Sequence, residues 1–265
     1  MLTEYELDSD GYGCAAVICT AVVTESKSLK ETFGGGWSRI HVPGDRQQYF
    51  EATFVDKHGR GQLAVTCQQD VMGMAAAAAL ATKAAILFRP RYLIMCGIAA
   101  GIKEHEGQMF GDVLVPDIVW DYTTGKFVGP DESELSFGDV GFLPRPQSLY
   151  LDPELKKLID GLIDSGTCEF HVQSGPLACG TNVMANDVAV DFTVRALRPS
   201  TVGLDMESYA IFFAASEAIE PRPKPLVVKS ICDYASTDKN DQYQTFAAFT
   251  ASRFVEHLLT KELEL

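Results

Sequence analysis

The chain is punctuated by short apolar runs without polar alternation, each followed by a segment of helical spacing. Residues 15–20 (AAVICT) and 92–96 (YLIMC) are the purest of them. A strand with no polar face has to be covered on both sides, which calls for a sheet enclosed between helices. Further strands are expected at 113–119, 201–205 and 225–231. Residues 49–55 and 62–67 flank the polar turn 56–61 as an antiparallel hairpin. Helices are expected at 25–32, 153–164, 187–197, 208–219 and 245–259. An alanine-rich helix, capped by Asp70, should run to Phe88 and stop before Pro90. Tyr92–Cys96 should be followed by a loop, Gly97-Ile98-Ala99-Ala100-Gly101, and the Gly/Pro-rich acidic stretch 129–146 reads as an excursion or mobile loop. The expected class is α/β: one domain over residues 1–265, a three-layer αβα sandwich with a central mixed sheet. Ligands of such sheets gather at the carboxyl ends of the strands, here just after Thr20, Cys96, Asp205 and Ile231.

Charge narrows the partners. With 36 acidic against 22 basic side chains the formal net charge is −14, which repels nucleic acid and anionic membrane at long range but leaves room for a small ligand held locally. Seven cysteines, an odd number with no CxxC pair, point to a reducing cytosol without a disulfide framework or zinc cluster. The acidic start MLTEYELDSD lacks the basic region of a signal peptide. The apolar stretches 11–24 and 71–82 fall short of the ~18–20 residues that span a bilayer. A cytoplasmic protein with no membrane contact is the expectation.

Several chemistries lose their usual signatures. No GxGxxG follows a strand and no HExxH occurs, and the five histidines show no ligand spacing. Thr124-Gly125-Lys126 fails as a phosphate loop because Trp120 stands where its first glycine belongs. His171-Val172-Gln173-Ser174-Gly175 lacks the first glycine of a nucleophile elbow. What remains is a set of three carboxylates at strand ends: Glu25, Glu207 and Asp233. Taken singly, each reads as a helix-start or capping acid. Three at neighbouring strand ends form a candidate acid–base site, because adjacent unpaired carboxylates are costly.

Four blocks occur in order around these acids: Cys96-Gly97-Ile98-Ala99-Ala100-Gly101 followed by Gly111-Asp112-Val113, Cys179-Gly180-Thr181-Asn182-Val183-Met184, Asp205-Met206-Glu207-Ser208, and Lys229-Ser230-Ile231-Cys232-Asp233-Tyr234-Ala235. Together they resemble the nucleoside phosphorylase/nucleosidase superfamily, and within it the 5′-methylthioadenosine/S-adenosylhomocysteine nucleosidases, over about residues 15–259. The resemblance implies the nucleoside phosphorylase-like fold and hydrolysis of the N-glycosidic bond of an adenine nucleoside, such as methylthioadenosine or S-adenosylhomocysteine, with neither metal nor cofactor. It implies that Asp233 protonates the departing base at N7, for which it must carry a proton. Glu207 would hold the ribose 2′- and 3′-hydroxyls and stabilise the cationic sugar carbon. Glu25 would take a proton from the attacking water. Met206 would pack on the sugar face, a place that core packing explains equally well. Ile98 and Ala99 of the glycine loop, and Val183 and Met184 of the block that resembles the base-binding loop, would bind the substrate. Lys229 stands where the nucleosidases often carry arginine and would orient a carboxylate. Relatives of this kind are usually homodimers or larger.

Departures from the pattern keep alternatives open. Phosphorylases of this superfamily grip phosphate with arginine and serine at the glycine loop. Met95-Cys96-Gly97-Ile98 offers neither, so water is favoured over phosphate as nucleophile. Ile98 replaces a serine, and Val183 stands where an aromatic often stacks on the base, leaving Phe246 or Tyr234 to stack. The stretch 120–126 is more similar to nucleosidase effector domains of immune-type signalling proteins, some of which attack ATP. Lys103, Lys126, Arg39, Arg46, Arg60 and Arg91 are candidates for a triphosphate pocket, or else solvated surface charges. A non-catalytic nucleoside-binding module is the remaining alternative.

Overall fold

The computed structural model describes residues 6–102, 107–129, 131, 133, 136–137, 140–236 and 241–265. Its first strands are β1 (Cys14–Thr20), β2 (Ser38–Ile40), β3 (Tyr49–Val55), β4 (Gly61–Gln68), β5 (Pro90–Gly101), β6 (Val113–Leu114) and β7 (Ile118–Asp121). They are followed by β8 (Gly125–Val128), β9 (Ser136–Phe137), β10 (Val140–Pro144), β11 (Gln147–Tyr150), β12 (Val172–Gln173), β13 (Pro176–Cys179), β14 (Gly203–Asp205) and β15 (Lys224–Asp233). The helices are α1 (Val23–Thr32), α2 (Met74–Phe88), α3 (Pro153–Ser165), α4 (Asp187–Val190), α5 (Ser208–Ser216) and α6 (Gln244–His257). α4 and α6 each continue into a π-helical turn, Asp191–Arg195 and Leu258–Glu262.

The sheet is mixed and helices cover it. Its main path runs β11-β7-β13-β14-β5-β1-β4-β3-β2, and β15 joins at β5 and β6. β5 is parallel to β1 and to β15, and all three are buried along nearly their whole length, as unbroken apolar runs require. α1 packs against α6 and α2 against α5, forming the outer layers. The α/β sandwich expected from the sequence is the architecture found.

Local chemistry explains the boundaries. α3 starts at Pro153 because the Asp152 carboxylate accepts from the backbone N–H of Glu154 and Leu155, at 3.0 and 3.2 Å, and it stops at left-handed Gly166. α2 buries Ala77, Leu80, Ala81, Ala84, Ala85 and Phe88, one face at helical spacing. Its cap is not Asp70, which is exposed. The chain turns first at Gly73, whose φ of +110° suits glycine. Pro116 divides the expected strand 113–119 into β6 and β7, since its ring nitrogen has no hydrogen to give a ladder. The acidic excursion folds in its described parts as a small antiparallel sheet of β8, β10 and β9, with Phe127 against Phe142 at 5.2 Å. β13, too short and too near Gly175 to stand out in the sequence, was not expected; β7 and β14 hold it on its two sides.

Phe88 closes α2 against Tyr49 of β3, the two rings meeting edge to face at 4.9 Å with both side chains fully buried. Phe88→Ala should cost about 3–5 kcal/mol. The check is a urea denaturation, in which the midpoint should fall while the slope stays constant.

Candidate active site

The site forms where the sheet parts. β1 follows β5 only as far as the pair Cys19–Met95, and β14 meets β5 from the other direction at Ala100. Between them, residues 96–99 of β5 have no strand on that side, while β15 pairs with the opposite edge through Ala99. The expected loop 97–101 is therefore strand, kept extended by the β15 ladder. Its open edge borders a cavity of about 330 Å³, within the range of small-molecule sites.

Glu25 occupies that open edge. It is fully buried at the start of α1. Its Oε1 accepts from the Ile98 N–H at 2.8 Å, and its Oε2 accepts from the N–H groups of Ala21 at 2.6 Å and Val22 at 3.1 Å. A Cβ on residue 97 would stand 2.3 Å from Oε1, so Gly97 is the residue that lets the carboxylate in. Burial pushes the Glu25 carboxyl above its ordinary value, opposed by the Lys229 ammonium and the three backbone N–H groups.

Glu207 stands at the β14–α5 turn. Its Oε1 accepts from the Gly73 N–H at 2.9 Å and from Gln69 Nε2 at 3.3 Å, and its Oε2 faces Lys229 Nζ at 3.4 Å. Lys229, wholly buried on β15, also pairs with Asp205 at 3.0 Å. Burial disfavours its ammonium, but the carboxylates of Asp205, Glu207 and Glu25 overcome this and hold it well above the usual lysine range. Asp205 in turn accepts from the N–H and hydroxyl of Ser208, the hydroxyl at 2.5 Å, and so anchors the start of α5.

Asp233 reaches the cavity through an irregularity. The β15 register slips between Ile231 and Asp233, a bulge that lets consecutive Cys232 and Asp233 both line the cavity. Oδ1 of Asp233 accepts from the Ala235 N–H at 2.8 Å, and the Cys232 thiol lies 3.5 Å from Oδ2. Ala235 takes a left-handed φ of +52° to make this turn.

Of the residues singled out in the sequence, Glu25, Ile98, Ala99, Val183, Met184, Met206, Glu207 and Asp233 all line the one cavity. Lys229 lies behind it and touches it only through its carboxylate partners. Two stacking candidates fall outside. The Phe246 ring packs over Gly111 and is half exposed. Tyr234 donates to the Gln108 carbonyl and packs on Phe110. Arg39, Arg46 and Lys126 are exposed away from the cavity. Arg60 binds Asp56, and Arg91 binds Asp8 and Asp10. Lys103 lies outside the described residues. Thr24, Met72, Asn182, Asp241 and Gln244 line the cavity without having been expected. They come from loops and helix starts that carry no spacing signal. Among the described residues, no group of three or more His, Cys, Asp or Glu is placed to hold a metal ion, and no helix is long and apolar enough to cross a membrane.

The family model of the phosphorylase superfamily matches residues 16–260, and the chain belongs to that family. Within it, an uncharacterized protein, y4jS, of Sinorhizobium fredii is 32% identical over 89% of this chain and 58% of its own length. The ATP nucleosidase Cap17 of Escherichia coli is 22% identical over 90% of this chain and 49% of its own. The chain thus spans 58% and 49% of the length of these relatives. Among solved structures, the 5′-methylthioadenosine/S-adenosylhomocysteine nucleosidase of Neisseria meningitidis, in complex with methylthio-immucillin-A, superposes with a TM-score of 0.70 at 17% identity, covering 91% of this chain and 96% of that one. A futalosine hydrolase mutant of Helicobacter pylori gives a TM-score of 0.70 at 17% identity, covering 92% and 97%. These likenesses are of fold.

Lys229→Met would leave Asp205 and Glu207 buried without their cation. A loss of about 3–5 kcal/mol of folding stability is expected, measurable by chemical denaturation at neutral pH.

Proposed function

We propose that the chain is an adenine nucleosidase, hydrolysing the N-glycosidic bond of a nucleoside without a 5′ phosphate, such as methylthioadenosine or S-adenosylhomocysteine. The observation that carries this is the convergence of Glu25, Glu207 and Asp233 on one cavity at the parted sheet. In the reaction the C1′–O bond to water forms as the C1′–N9 bond breaks, and the electron pair leaves with the base. Asp233 gives its proton to N7, so the base departs neutral. The Glu207 carboxylate holds the ribose and lies beside the carbon that becomes positive. Glu25 takes the proton that the water sheds.

Water rather than phosphate is supported by how the cavity's donors are used. The N–H groups of Ile98, Ala21 and Val22 already serve the Glu25 carboxylate. A phosphate dianion there would meet a carboxylate instead of donors, at a steep desolvation cost. The described residues lining the cavity include Glu25, Asp205, Glu207, Asp233 and Asp241 but no lysine or arginine, which supports a substrate without a 5′ phosphate. A second reading, hydrolysis of ATP or another adenine nucleotide, is favoured by the likeness to Cap17 along 90% of the chain.

The test is product analysis of methylthioadenosine, S-adenosylhomocysteine, adenosine, AMP and ATP in phosphate-free buffer. Free adenine from the nucleosides without a 5′ phosphate is expected. Turnover confined to ATP would move the assignment to the second reading, and a sugar 1-phosphate made only with added phosphate would overturn hydrolysis. Asp233→Asn should lower kcat by at least about 10²-fold, the contribution of a positioned general acid, with the fold retained by circular dichroism.

The pH profile carries an independent mark of Glu25. A general base works ionised, so kcat/KM should fall as pH drops through the Glu25 ionisation. Burial raises that ionisation, placing the acid limb above the ordinary value of 4.5. A limb at or below 4.5 would remove Glu25 from the role.

A further inference from the structure

A carboxylate offers about four acceptor sites, two on each oxygen. Three of those on Glu207 are already engaged: Oε1 takes the Gly73 N–H at 2.9 Å and Gln69 Nε2 at 3.3 Å, and Oε2 takes Lys229 Nζ at 3.4 Å. None of the three donors is positioned to leave easily. The Gly73 N–H is backbone at the entry to α2. Lys229 is wholly buried between two carboxylates. Gln69 is buried at the end of β4, where its own N–H bonds the Thr20 carbonyl at 3.0 Å. The amide orientation of Gln69 follows from its partner, because its oxygen would repel Glu207 where its NH₂ binds it.

We infer that Gln69 is a specificity-determining residue: by filling the second site on Oε1 it leaves Glu207 able to accept from one ribose hydroxyl only, through Oε2. The inference rests on Glu207 being the ribose-holding acid. A carboxylate with both oxygens open would grip the 2′- and 3′-hydroxyls together and reject either deoxy sugar. With one acceptor site left, the pocket recognises one of these hydroxyls and is indifferent to the other, so one class of deoxyribonucleoside enters as a ligand almost as well as the ribonucleoside.

The experiment is a binding comparison of adenosine, 2′-deoxyadenosine and 3′-deoxyadenosine by calorimetry. It is run on Asp233→Asn, so that turnover does not consume the ligands and the greater lability of 2′-deoxynucleosides does not enter. Adenine release by the wild type is measured alongside. A hydrogen bond to a charged group corresponds to a factor of about 10–150. One deoxy analogue should lose affinity by that factor and the other by less than about threefold, roughly the effect of a contact not made. In Gln69→Leu on the same background, the tolerated analogue should become tenfold or more weaker than adenosine as Oε1 opens. Comparable tenfold losses for both analogues with Gln69 in place, losses for neither, or an unchanged pattern in Gln69→Leu would each overturn the inference. The comparison with Gln69 present decides the matter alone where the Gln69→Leu protein does not fold. The expected pattern without adenine release from the wild type would leave the inference standing and sink the hydrolase reading. No binding of any nucleoside would end both.

Discussion

One buried ammonium sets the terms for the whole cavity end of the sheet. Lys229 has no solvent exposure, lies 3.0 Å from Asp205 and 3.4 Å from Glu207, and acts electrostatically on Glu25. Its desolvation would be prohibitive alone, and so would that of the acids. Placed together, each makes the other's burial tolerable. Such a cluster is seldom a net gain over apolar packing, but it is strongly destabilised by losing one member. Its value here is positional. Asp205 anchors α5, Glu207 is held toward the cavity, and the proposed base keeps a cation in its field, all from a single side chain on the central strand β15.

The cavity owes its existence to two faults in an otherwise continuous sheet. β1 and β14 approach β5 from opposite directions and leave residues 96–99 with an open edge, and the bulge in β15 swings Asp233 to that opening. Open backbone donors in an interior must be satisfied. Glu25 does so at Ile98, which places a carboxylate deep in the site without any need for surface exposure. Gly97 and Gly73 serve the same end, one by lacking a Cβ that would collide with Glu25, the other by a φ that brings its N–H to Glu207.

Much of this was readable in advance, for physical reasons. The apolar runs announced buried strands, and their carboxyl ends announced Glu25, Glu207 and Asp233, since a parallel strand delivers its following loop to the ligand side. Asp152 and Pro153 marked the start of α3 through capping chemistry confined to four residues. Where local signals competed with distant partners, they misled. Asp70 looks like a cap, yet Gly73 is the turning point. The glycines after Cys96 suggest a loop, yet the β15 ladder keeps them extended. Phe246 is aromatic and near the right motif, yet its ring goes to Gly111.

The amino-acid sequence settled the α/β class, the burial of the central strands and the position of three carboxylates at strand ends, because these follow from composition and spacing along short segments. It was silent on how those acids are held. That Gln69 and Gly73, some 130 residues before Glu207, saturate one of its oxygens, or that Asp241 and Gln244 line the cavity, depends on contacts between elements far apart in the chain. Hydrogen-bond partners across such separations leave no period and no motif. They exist only once the sheet has brought the strand ends together.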